Sequence, residues 1–150
     1  MFLSWRGYLL KLKVKKLCET ARLPVRATPG SACYDVFSVV ELLLTPRRRT
    51  TIPTGLAFEL PVEVGLEIRP RSGLALRGMI ILNSPGTLDS DYRGQLLVIC
   101  TNISDTSILI NKGDRIAQIR LFRVIDLEFE EVGELTSTNR GIGGFGSTGR

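Results

Sequence analysis

From Leu10 to Val14 the apolar residues Leu10, Leu12 and Val14 alternate with Lys11 and Lys13. A period of two predicts a strand with one buried face and one wet face, the lysines forming the wet one. Further strand-like runs cover Thr51 to Leu60, Val64 to Ile68, Gln95 to Asn102, Ser107 to Ile110 and Arg115 to Phe122. Turn signals punctuate the chain at Thr28-Pro29-Gly30, Pro53-Thr54-Gly55, Ser84-Pro85-Gly86 and Asn111-Lys112-Gly113. Only Ser72 to Arg77 suits a short helical turn, and nothing alternates strand with helix as a parallel nucleotide-binding sheet would. Strands this short and numerous predict an all-β sandwich or barrel.

Composition narrows the chemistry more than the fold. A chain of 150 residues and 16.6 kDa fits one globular domain. It has no histidine, which removes Ser-His-Asp triads, HExxH zinc sites and imidazole bases together. Proton transfer falls to carboxylates, Lys, Tyr or Cys. Cys18, Cys33 and Cys100 form no CxxC pair and are odd in number, against a disulfide framework or a thiolate zinc site; they are expected to be buried small hydrophobes in a reducing compartment. The net charge of +5 is uneven: residues 1 to 50 carry ten Lys/Arg against three acids, the remainder ten against twelve. That asymmetry excludes a uniformly basic nucleic-acid binder. The apolar opening, Met1 to Leu10, is interrupted by Arg6 and too short for a signal peptide or membrane span, so a cytoplasmic location and no membrane partner are expected.

The C-terminal stretch Arg140 to Gly149 is half glycine. Its literal GxGxxG, at Gly141, Gly143 and Gly146, has no room for the helix that a dinucleotide fingerprint requires. Three further polar segments stand out from the strand background: Pro70-Arg71-Ser72-Gly73-Leu74-Ala75, Gly86 to Gly94, and Gly113 to Gln118. Arg-Ser-Gly can cradle an anion through guanidinium, hydroxyl and backbone N–H. Asp89-Ser90-Asp91-Tyr92, alone, is as suited to a hairpin tip whose Asp residues bond their own backbone.

In order, spacing and residue type, these segments resemble the five motifs of the trimeric deoxyuridine triphosphatases, the dUTP pyrophosphatases. The first resembles Ser31-Ala32-Cys33-Tyr34-Asp35, the second Pro70 to Ala75, the third Asn83 to Gly94, the fourth Gly113 to Gln118, the fifth Arg140 to Gly149. Ser31 and Cys33 depart from the small residues usual in the first motif, and Cys33 stands where the family has glycine. The resemblance implies a jelly-roll-like subunit in a homotrimer with shared active sites. It divides the chain into an N-terminal extension (1–8), a β domain (9–138) and a glycine-rich arm (139–150) closing the site.

The implied reaction is hydrolysis of dUTP to dUMP and pyrophosphate with Mg²⁺, which keeps uracil out of DNA and supplies dUMP. By resemblance Asp89 is the base for the water attacking the α-phosphorus, and Tyr92 lies under the deoxyribose, leaving no space for a 2′-hydroxyl. Backbone groups of Gly86, Thr87 and Leu88, with the Asn83 amide, read uracil. Arg71, Ser72, Gly73 and Gln118 hold the phosphates, and Asp35 meets the hydrated Mg²⁺ through water. From the arm, Phe145 stacks on uracil while Arg140, Gly146, Ser147 and Thr148 reach the nucleotide. Asp114 is expected to fix its own loop. The alternatives are a dCTP deaminase of related fold and a non-catalytic module that senses nucleotide or binds nucleic acid through its basic half.

Overall fold

The computed structural model describes residues 11–145. Ten strands and one five-residue helix build a two-sheet sandwich with a small accessory pair. One sheet, in spatial order, contains β1 (Lys13–Lys16), β4 (Arg49–Glu59), β8 (Gln95–Asn102) and β6 (Met79–Ile81). The second contains β2 (Tyr34–Phe37), β10 (Arg115–Arg123), β5 (Val64–Arg69) and β7 (Gly86–Leu88), while β3 (Leu42–Leu44) pairs β9 (Ile108–Ile110). Every strand pair is antiparallel. This is the all-β class that the strand spacing predicts. Among the described residues, no helix is long and apolar enough to cross a membrane.

Alternation decides which side chains enter the core. Leu96, Val98 and Cys100 of β8 point inward and are fully buried, as are Ile52, Leu56 and Phe58 of β4. They meet Val36, Leu66, Ile68, Ile116 and Ile119 of the other sheet in one cluster. The wet face of β1 follows the predicted pattern, with Lys11, Lys13 and Lys15 exposed and Leu12 and Val14 partly buried against the core. The strand itself runs two to three residues later than the alternation suggests.

Two expectations are corrected. Pro53-Thr54-Gly55 is not a turn but the interior of β4, where the register with β8 shifts between Pro53 and Ala57. The bulge absorbs the proline's missing donor and gives Gly55 its positive φ of 68°. Thr54 Oγ1 donates to the Leu96 carbonyl at 2.8 Å, and Gly55 N–H donates to Gln95 Oε1 at 2.9 Å, so the break in pairing is repaired locally. The cysteines also divide: only Cys100 is buried, and burial pushes its thiol up to about 11, whereas Cys18 is exposed and Cys33 intermediate. Four short strands, β2, β3, β6 and β7, carry too little alternation to be predicted from sequence.

Candidate active site

β7 binds the edge of β5 with Ile68 opposite Gly86 and Leu66 opposite Leu88. Past Leu88 the chain turns, the Tyr92 N–H donating to the Asp89 carbonyl at 3.2 Å. A pocket of about 260 Å³ opens here, walled by Asn83, Thr87, Leu88, Asp89 and Tyr92 and floored partly by Ile68. Gly86 lies flush against Asn83: a Cβ at that position would stand 3.1 Å from the amide nitrogen. Gly94 has the same function for Tyr92, whose ring lies over the glycine in the space a Cβ would fill, while its phenol donates to the Gln95 carbonyl at 3.2 Å. Asp89 is exposed, and among the described residues its carboxylate accepts no hydrogen bond. Its lone pairs face water.

A second polar cluster is built around a buried carboxylate. Asp35 and Gln118 sit directly opposite each other on β2 and β10, and Gln118 also faces Arg69 on β5. Facing positions share a side of the sheet. Beyond β5, Arg71 precedes α1 (Ser72–Leu76), whose buried Leu74 anchors the turn to the core. The Arg71 guanidinium then folds back over the strand ends. Its Nε donates to Asp35 Oδ1 at 3.0 Å, Gln118 Nε2 donates to the same oxygen at 3.1 Å, and Arg115 donates to Oδ2 at 3.3 Å. Ser72 and Gly73 are exposed beside them, with open space over Gly73. The loop leading into β10 is pinned by Asp114, whose Oδ2 accepts the Asn111 N–H at 2.8 Å, the role the sequence assigns it. Ser38 and Gly113 tie that loop to the end of β2.

Asp89 and Arg71 do not meet within one chain. Asp89 follows the residue paired with Leu66, whereas Arg71 lies past the opposite end of β5, roughly 20 Å away at strand rise. The hydrogen bonds of the arm's described residues are local as well. Arg140 donates to the Gly143 carbonyl at 2.8 Å, and Phe145 is fully exposed. Gly146, Ser147 and Thr148 lie outside the described residues. Sequence reading assigned no role to Arg115, which the structure brings onto Asp35; its place inside the fourth motif was the available signal.

A pocket rimmed by the Asn83 amide and the edge-strand backbone of β7 suits an aromatic head, and an arginine cluster suits a polyanionic tail. Fold and site therefore define a β-sandwich protein that handles nucleotides. The family model for dUTPase matches residues 19–149, and the chain belongs to the dUTPase family. A deoxyuridine 5′-triphosphate nucleotidohydrolase of Hydrogenobaculum sp. is 50% identical over 142 residues, covering 93% of this chain and 99% of that one. Another, from Nautilia profundicola, is 46% identical over 142 residues, covering 94% and 100%. Among solved structures, a Staphylococcus bacteriophage 80alpha dUTPase with dUpNHpp superposes with a TM-score of 0.83 at 27% identity, over 93% of this chain and 99% of that chain. A dUTPase of phage phi11 of S. aureus, described with a structural Mg(II) ion, gives 0.78 at 25% identity over 85% and 100%. The protein is an enzyme that hydrolyses dUTP.

Proposed function

We propose that Asp89 is the general base of this hydrolysis, drawing a proton from the water that attacks the α-phosphorus and releasing dUMP and pyrophosphate. The observation that carries the assignment is an open, unpartnered carboxylate on the rim of a base-sized pocket. Phosphate transfer to water needs a positioned nucleophile, a base and neutralised phosphate charge, and no histidine or covalent intermediate. Asn83 and the backbone of Gly86, Thr87 and Leu88 read uracil. Tyr92, held down over Gly94, underlies the deoxyribose and rejects a 2′-hydroxyl. Arg71, Ser72, Gly73 and Gln118 grip the phosphates, and Arg140, Phe145, Gly146, Ser147 and Thr148 close over the nucleotide from the arm.

Mg²⁺ enters this reading as a companion of the substrate. Among the described residues no three acidic or thiol groups gather as a cage, and Mg²⁺ suits phosphate oxygens plus retained waters. Asp35 fits only an outer contact: of about four lone-pair sites, three are taken by Arg71, Gln118 and Arg115. The remaining Oδ2 site can accept from a metal-bound water. When present, the ion supplies charge neutralisation along the phosphates.

The working unit is a homotrimer with shared sites. Supporting this, Asp89 and Arg71 of one chain lie too far apart for one triphosphate. The outer side of the β8–β6 region is also apolar where a sheet facing water would be polar, with Ile80, Leu82, Leu97 and Ile99 all exposed. Leu97 and Ile99 line the same pocket as Asp89, so a copy seated there would wall the site. Past β10, Ile125, Leu127 and Phe129 alternate with Asp126, Glu128 and Glu130 in a strand pattern that has no partner strand among the described residues. Phe129 is 91% exposed, an arrangement that invites pairing with another copy. Within this scheme 1–8 is an extension, 9–138 the β domain and 139–150 the closing arm. Three free thiols suit the reducing cytoplasm.

Pyrophosphate release from dUTP, dTTP, dCTP and UTP tests the reading. Fast release from dUTP alone is expected. Ammonia from dCTP, or nucleotide binding without turnover, would replace it with the deaminase or sensor reading.

A further inference from the structure

The cluster around Asp35 contains a feature that substrate contact does not require. Arg115 and Gln118 are three residues apart, an odd spacing that in a regular strand sends two side chains to opposite faces. Here the β10–β2 register shifts between Arg115 and Ala117: Arg115 faces Phe37, Ala117 faces Val36 and Gln118 faces Asp35. The bulge at Ile116 turns Arg115 back onto the side of Asp35 and Gln118. It costs a regular ladder and gains a second guanidinium on one carboxylate.

We propose that Asp35 and Arg115 are positioning residues for the phosphate grip. Asp35 holds Arg71 and Gln118 by one oxygen, and Arg115 holds Asp35 by the other. The Asp35 side chain is 4% exposed, so without two cations beside it the carboxylate would be costly to keep charged. Arg71 is 25% exposed, and its NH1 also donates to the Arg115 carbonyl at 3.3 Å. Its Nε and NH1 are engaged by the protein, and among the described residues NH2 has no hydrogen-bond partner. The guanidinium is thereby fixed before substrate arrives, which lowers the ordering cost of binding a phosphate. Arg115, half exposed, is the outer brace. The inference rests on Arg71 being a phosphate ligand, and it differs from a metal role for Asp35 in that the carboxylate acts through the side chains of Arg71, Gln118 and Arg115.

The test uses the full-length chain and the imido analogue of dUTP, with dUMP as the ligand lacking the outer phosphates, each titrated in Mg²⁺ and in EDTA. Arg115→Gln removes the brace at a half-exposed position, Arg115→Lys restores its charge, and Asp35→Asn removes the central charge at equal size. Losing an aligned charge-assisted contact should weaken the imido analogue by about tenfold for Arg115→Gln and more for Asp35→Asn. The same factor should appear in EDTA, with dUMP affinity unchanged and partial recovery in Arg115→Lys. A purely structural role would weaken both ligands alike, which would overturn the proposal. A loss that disappears in EDTA would overturn it in favour of action through the metal. Should Asp35→Asn fail to fold, the two Arg115 variants decide. Arg71→Gln separates the layers: if it weakens the analogue while the Arg115 variants do not, positioning falls and the grip stands. If Arg71→Gln has no effect, the grip reading falls and takes positioning with it.

Discussion

Asp89 and Asp35 are the same side chain put to opposite uses by their surroundings. Asp35 is walled in by donors, so its charge is spent holding arginines; Asp89 is left open, so its lone pairs are free for water. Asp89→Asn keeps volume and hydrogen bonding but removes the base. Turnover should fall by about 10²-fold or more while nucleotide affinity stays within a few-fold. Single-turnover pyrophosphate release beside a binding titration checks this, and near-normal release would remove Asp89 from the role. Tyr92 is fixed by different means, its ring seated on Gly94 and its phenol tethered to the Gln95 carbonyl. Tyr92→Ala should raise kcat/KM for UTP relative to dUTP, because the space meant for no 2′-hydroxyl becomes empty. An unchanged ratio would end its assignment as the sugar gate.

At the scale of elements, bulges and buried polar groups do the placing. The β4 bulge keeps Pro53 inside a paired strand, and the β10 bulge puts two residues of odd spacing on one face. Near the far end of β8, Asn102 is fully buried and joins three elements. Its Nδ2 donates to the Leu44 carbonyl at 3.0 Å and the Thr106 carbonyl at 2.7 Å, and its Oδ1 accepts from the Ser104 N–H and hydroxyl. Asn102→Leu would take the donor from the buried Leu44 carbonyl, at about 1 to 3 kcal/mol if it finds no water, while the Thr106 carbonyl keeps the Ser104 hydroxyl. A fall in Tm of several degrees is expected by calorimetry, with the substrate preference of the surviving fold unchanged. A variant as stable as the parent would show that the network is dispensable.

For the whole molecule, the proposed sharing of sites would make assembly part of the chemistry, and two inactive chains test it. Asp89→Asn supplies an intact arm, and a chain ending at Thr138 supplies an intact Asp89; each alone should be inactive. Refolded together in equal amounts with random closed assembly, a site works only when its Asp89 comes from the truncated chain (about one half) and its arm from the Asp89→Asn chain (about one half). About a quarter of wild-type activity is expected. No recovery would mean that each site is built by one chain, and an active truncation would mean that the arm is dispensable; either result removes shared sites and leaves the fold untouched.

Sequence by itself determined the class of fold and the family, because both are written in local code. Alternation marks β4, β5, β8 and β10 wherever one face is buried, and five short motifs keep their order and residue types whatever the chain does between them. It also made Asp114 legible, since a turn-fixing Asp bonds within its own loop. The rest depended on contacts between distant residues. Three-residue strands such as β6 and β7 have too few positions to show a period, and they form because β8 and β5 offer an edge. Pro53-Thr54-Gly55 reads as a turn locally, yet the pairing of β4 on both sides carries the strand through it. Arg115 gains its meaning from a register shift against β2, and register is a property of two strands, not of one. Only the tertiary structure could decide that Asp35 is enclosed by arginines and Asp89 is open, because burial is set by what the remainder of the chain packs around each carboxylate.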